Sequence, residues 1–340
     1  MIKKESDYLN LLKKHITNLK YLFIVFFMIG GLYTGFGALE GILGLGTGVV
    51  VITMLDKDYS ECMFIEAIRI IGTQVIIGIA AYIAGLNYLT LIIFTFAVAF
   101  GLHYMFNHYK SMPRTMGFLF NYMFLIYFKP TSQQMPRLLL ALLVSGIFIM
   151  ILYYLFTKDT YFNKDFEKKV LHIKYEDKIE FNNFKSRYSI INGIVFAIAI
   201  FTMQYFKEYH AIWLPITIII LMIPDKGLTF QKIIDRLLGT AVACVLFMII
   251  SHVVTNDIIL YITAGIAVYF MFFPMAYYKR AIFITYAALF ANHMLYRNQT
   301  ALTLDMYRII FTVLGAFIVF LIFIIEEAIK KSKQSDLDVA

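Results

Sequence analysis

Runs of near-uniform apolar residues follow one another from residue 19 to residue 328, separated by short polar breaks. They read as twelve helical spans, at about 19–37, 39–55, 65–86, 88–106, 115–128, 137–156, 189–206, 211–224, 231–251, 257–274, 278–295 and 305–328. Roughly 20 apolar residues in a helix cross the hydrocarbon core of a bilayer, and most of these runs approach that length. The expected fold class is therefore an all-α integral membrane protein of about 12 transmembrane helices.

One segment breaks the pattern. Residues 157–188 hold eight Lys or Arg and six Asp or Glu, too polar to enter a bilayer and too short for a domain. This charged cytoplasmic linker separates an N-terminal six-helix repeat (1–156) from a C-terminal six-helix repeat with a short tail (189–340). Its aromatic residues Tyr161, Phe162, Tyr175 and Phe181 offer a docking surface.

The halves are related by sequence as well as by count. Residues 47–73 lie on 214–240 without a gap, pairing Ile52 with Ile219, Asp58 with Asp225, Arg69 with Arg236, Gly72 with Gly239 and Thr73 with Thr240. An even number of spans per half makes both halves enter from the same side, so the repeat is parallel. The second span of each half is short. The first half loads it with Gly41, Gly44, Gly46 and Gly48, and the second gives it Pro215 and Pro224. Paired interrupted segments of this kind point to a transporter's site. Glycines such as Gly44 and Gly48, four residues apart, equally serve close helix packing.

Composition agrees with the pattern. Hydrophobic residues make up 61% of the chain and charged residues 15%, with a mean hydropathy of +0.75; soluble domains carry roughly 45–50% and about 25%. The net charge of +8 is topogenic and implies no nucleic-acid partner. Among the 30 Lys and Arg, only Lys129, Arg137, Lys207, Arg297 and Arg308 fall near the outer side if the N-terminus is cytoplasmic. That asymmetry places both termini in the cytoplasm. The first twenty residues read as a cytoplasmic amphipathic lead-in rather than a signal peptide. Cys62 and Cys244 imply no disulfide framework.

Residues at i, i+3 and i+4 share a helix face. Arg69, Gly72 and Thr73 thus form one patch of cation, gap and hydroxyl, which Arg236, Gly239 and Thr240 repeat. Intramembrane charge faces a bundle interior or water, and two such patches facing a common axis would make a basic constriction for an anion, since Arg grips carboxylates bidentately. The plainer alternative is that each Arg snorkels to headgroups. Asp58 and Asp225 correspond as turn or helix-capping carboxylates. Glu66, Asp235 and Glu40 are the candidate coupling carboxylates. The polar residues His103, Asn121, Asn192, Gln204, His252, Asn292 and His293 read as interhelical hydrogen-bond partners. No metal-ligand spacing, nucleophile motif or nucleotide-binding loop appears: Gly41–Gly48 lacks the Lys-Ser/Thr ending of a phosphate loop. No enzyme, cofactor or metal is expected.

The stretch IWLPITIIILMIPDKGLTFQKIIDRLLGT resembles the signature of the fusaric-acid-resistance (FUSC) family of membrane proteins. Trp213, Pro215, Asp225, Arg236, Gly239 and Thr240 occupy its positions, and the resemblance is strongest over about 190–330. The first half repeats it more faintly, with Gly46 at the Trp position. The resemblance implies a bacterial cytoplasmic-membrane exporter of small, aromatic organic anions, driven by the proton gradient. Arg69, Thr73, Arg236, Thr240, Trp213 and Pro215 would then bind substrate. The 32-residue linker is shorter than the soluble region of many relatives, and the short external loops suggest no adaptor protein; homo-oligomerisation is left open. A passive organic-anion channel and a membrane scaffold of an envelope pathway are the alternatives.

Overall fold

The computed structural model describes residues 2–55, 63–106, 115–161, 178–223, 226–254, 256–295 and 300–338. Among them it holds twelve α-helices, one 3-10 turn and no strand. The helices are α1 (Ile2–Phe36), α2 (Ala38–Leu55), α3 (Met63–Ala84), α4 (Tyr88–Phe106), α5 (Met116–Phe128) and α6 (Met135–Tyr161). They continue with α7 (Lys178–Tyr205), α8 (Trp213–Leu221), α9 (Lys226–Val253), α10 (Asp257–Met271), α11 (Tyr277–Leu295) and α12 (Ala301–Asp338).

Eight of these are long and apolar enough to cross a membrane: α1, α2, α3, α4, α6, α7, α9 and α12. The other four differ for distinct reasons. Helices α5 and α10 are apolar but shorter, and α11 carries Lys279 and Arg280 in its first turn. Helix α8 has nine residues, so it extends about 14 Å, less than half the hydrocarbon thickness. Pro215 falls in its first turn, where no intrahelical N–H bond is lost. Of the charged 157–188 segment, 157–161 prolong α6 and 178–188 open α7, while Phe162 and Tyr175 lie outside the described residues, as do the side chains of Tyr161 and Phe181.

The chain divides into two compact units, one formed by Met1–Leu22 with Tyr205–Ala340 and the other by Phe23–Gln204. In the unit formed by Phe23–Gln204, α3 packs on α4, α5 and α6, and α2 packs on α5 and α6. Gly44 lets α2 press on α1 so closely that a Cβ would stand 2.6 Å from the Met28 carbonyl oxygen and the Ile29 backbone. Gly48 does the same against Val25, at 3.0 Å. Gly37, at φ +116°, makes the turn between α1 and α2, a backbone angle that L side chains rarely adopt. On the far face Gly46 meets Gly117 of α5, whose hypothetical Cβ would lie 2.5 Å from the Gly46 carbonyl oxygen. Without a hydrophobic drive between helices in lipid, such backbone approach and interhelical hydrogen bonds carry the association.

In the C-terminal unit, α9 packs against α11, α12 and α8, and α10 packs on α11. Ala243, Cys244 and Phe247 of α9, Ala267 of α10, and Tyr286 and Leu289 of α11 form its buried core. Asn18 of α1 joins this unit by donating to the Tyr269 carbonyl oxygen at 2.8 Å. Gly239 sets the α9–α11 crossing: a Cβ there would fall 2.6 Å from the Ala281 Cβ and 2.8 Å from the Tyr278 carbonyl oxygen. Gly315 of α12 receives Thr217 of α8 in the same way, at 3.0 Å, which seats the short helix in the bundle.

Candidate functional site

Helix α9 places Lys232, Arg236 and Thr240 at successive four-residue steps, one above the other on a single face. Arg236 is 0% exposed, and among the described residues none of its three guanidinium nitrogens has a hydrogen-bond partner. A snorkelling arginine would carry its head to the surface; this one holds it inside the bundle. The Tyr277 hydroxyl of α11 lies beside the guanidinium without meeting hydrogen-bond geometry.

Helix α12 brings a second buried cation to the same interior. Arg308 is also 0% exposed and also lacks hydrogen-bond partners on all three nitrogens. Its guanidinium carbon sits 3.6 Å from the centroid of the Trp213 ring at the start of α8, a desolvated cation–π contact. Arg308 lies within the field of Arg236, so two like charges share one dry region. Arg308, which the charge distribution along the chain puts near the outer side, is enclosed by the packing of α12 against α8 and α9.

The hydroxyls nearby behave unusually. Thr47 and Thr217 follow the ordinary helical habit of donating to the carbonyl four residues back, at 2.9 and 2.8 Å. Thr240 and Thr312 are buried, yet their hydroxyls have no partner. Thr312 stands four residues after Arg308, the spacing that separates Thr240 from Arg236. One turn before Arg308, Asp305 is 3% exposed with both carboxylate oxygens unpartnered. Cys244 of α9 lies within the fields of both Asp305 and Arg308. Buried polar atoms are nearly always satisfied. Two guanidinia, two hydroxyls and a carboxylate, all buried and without hydrogen-bond partners among the described residues, make this the candidate site.

Arg308, Thr312 and Asp305 were missed by sequence reasoning. The signal available was the Asp-x-x-Arg-x-x-x-Thr spacing of 305–312, which puts all three on one helical face.

The corresponding first-half residues lie in the unit formed by Phe23–Gln204. Arg69 is half-buried and acts on Lys185 of α7 through its charge, while Thr73 is buried. Gly72 differs from Gly239, because a Cβ there would meet nothing within 4 Å. Gln74, next to Thr73, accepts from the Asn121 amide at 3.2 Å, and the same amide nitrogen donates to Thr47 at 3.2 Å. That network ties α2, α3 and α5 together through fully buried side chains. Glu40 is occupied: Arg137 of α6 donates to its two oxygens at 3.0 Å each. Pro215 is buried and Asp235 half-buried, and Asp235 lies within reach of Tyr277. Asp58, Asp225 and the side chain of Glu66 lie outside the described residues.

A continuous series of apolar helices with charge held in the interior of a bundle defines a multi-pass membrane protein of the all-α class. Within that class, residues 198–322 match the family described as fusaric acid resistance protein-like. The resemblance first carried by Trp213, Pro215, Arg236, Gly239 and Thr240 holds over that region, and the matched stretch also contains Asp305, Arg308 and Thr312. No curated protein and no solved structure matches the chain.

Proposed function

We propose that the protein exports small organic anions across the cell membrane, with both termini cytoplasmic and its twelve helices arranged as two parallel six-helix repeats. The observation that carries this reading is the pair of fully buried, unpartnered guanidinia of Arg236 and Arg308. Two buried like charges repel and lose their hydration, and an anion between them offsets both costs. Each guanidinium offers five N–H donors in a planar fork that fits a carboxylate. The Thr240 and Thr312 hydroxyls supply further donors. The Trp213 ring, already stacked on Arg308, gives an aromatic acid a flat surface beside the cation. Pro215 holds the first turn of α8 that presents the ring. Arg69 and Thr73 are the corresponding anion-binding pair of the first repeat. Asp305, with its two free oxygens beside the site, is the carboxylate through which the proton gradient drives export.

Inverted membrane vesicles and radiolabelled benzoate test the assignment. Wild-type protein accumulates label, and Arg308→Gln protein, inserted at equal levels, loses at least nine-tenths of that uptake. Undiminished uptake by the variant removes Arg308 from the path and with it the proposed site.

A further inference from the structure

Four residues before Arg236, on the same face of α9, the Lys232 ammonium nitrogen lies 5.5 Å from the centre of the Tyr277 ring of α11. Arg280, three residues after Tyr277 on α11, contributes a second half-buried cation. Lys232 and Arg280 lie within each other's field, and neither is in an ion pair among the described residues. Among the described residues Arg280 makes one long hydrogen bond, its Nη2 donating to the Phe273 carbonyl oxygen at 3.5 Å. Its Nε is buried without a partner. The Tyr277 hydroxyl, buried and without a hydrogen-bond partner among the described residues, lies within the fields of Arg236 and Arg280 alike. The Asp235 carboxylate also acts on Tyr277.

The sequence of groups is ordered. Lys232 and Arg280 are half-exposed, Tyr277 has a half-exposed ring and a buried hydroxyl, and Arg236 and Arg308 are fully enclosed. Positive charge therefore persists from Lys232 and Arg280 to Arg236 and Arg308 while exposure falls. From this we infer that Lys232, Arg280 and the Tyr277 hydroxyl form a separate capture site for carboxylate anions, which takes the anion from the aqueous side and passes it to Arg236 and Arg308. The inference rests on the exporter reading and adds a second site to it. Two cations without an ion pair among the described residues attract an incoming anion and raise the capture rate, an effect that salt screens. The Tyr277 hydroxyl donates to the anion as it leaves the Lys232–Arg280 pair. That keeps one hydrogen bond in place through the transfer.

The capture role and the binding role separate kinetically. In proteoliposomes holding the full chain, benzoate transport is measured against substrate concentration at low and high salt. The Lys232→Gln/Arg280→Gln double variant raises KM about tenfold at low salt with a maximal rate within twofold of wild type. It also abolishes most of the salt dependence of the rate at low substrate. The charge-conserving Lys232→Arg/Arg280→Lys protein restores both, which separates charge from folding. Tyr277→Phe keeps the KM and lowers the maximal rate several-fold. A double variant with wild-type KM and salt dependence overturns the capture site, provided that Arg236 and Arg308 substitutions abolish transport in the same vesicles. If those substitutions leave transport intact, the exporter reading itself falls and takes the capture site with it.

Discussion

Arg236 holds its charge out of water with no hydrogen-bonded partner, in the field of a second buried cation, Arg308. Replacing it with Met keeps length and volume close and removes the charge. Exchanging buried ionic groups for well-packed apolar ones of similar size stabilises by about 1–4 kcal/mol in comparable settings, and here no partner is orphaned by the change. Arg236→Met therefore raises the thermal midpoint of the purified protein. The same substitution removes the fork that grips the anion. One lost charge-assisted hydrogen bond of about 1.5–3 kcal/mol weakens binding roughly 10- to 150-fold. Stability and affinity move in opposite directions, the signature of a residue kept for a ligand. The chain has a single tryptophan, Trp213, stacked on Arg308 at 3.6 Å, so tryptophan emission, excited beyond the tyrosine absorption, reports on this site alone. Thermal unfolding in detergent gives the first quantity, and benzoate titration followed by Trp213 emission gives the second. A lowered midpoint together with an unchanged titration would refute the reasoning, because it would make Arg236 a structural cation.

The two related glycines respond differently to the same change. Gly239→Ala drives a methyl to 2.6 Å from Ala281 and destabilises by about 1–3 kcal/mol, whereas Gly72→Ala meets nothing within 4 Å and gains up to about 1 kcal/mol of helix propensity; equal thermal midpoints for the two variants would contradict the packing described. For Asp305, the expected result of Asp305→Asn is benzoate transport that no longer responds to an imposed pH gradient while substrate binding, followed by Trp213 emission, persists. A variant that stays gradient-driven moves the coupling role to another carboxylate.

Much of the architecture is legible in the chain because a bilayer imposes it locally. Twenty apolar residues must form a helix to satisfy their own backbone polar groups, so helix positions follow from hydropathy with no knowledge of partners. The Arg-x-x-Gly-Thr motif was equally readable, since helical spacing alone puts Arg236 and Thr240 on one face. Its environment was not. Whether Arg236 reaches headgroups or stays inside depends on α11 and α12 closing over it, and those contacts join residues far apart in the chain. Arg308 shows the limit more sharply. Seven residues into α12, it reads as a boundary charge until α8, too short to span, is wedged against that helix with Trp213 over the guanidinium. The two glycines, alike in sequence, likewise diverge only in space, one pressed on Ala281 and the other facing nothing. Periodicity and composition determined that this chain lives in a membrane as apolar helices with arginine at defined faces. Only the packing of those helices decided which arginines are enclosed, which hydroxyls are left without partners and which carboxylate stands free, because burial depends on what the rest of the chain brings alongside.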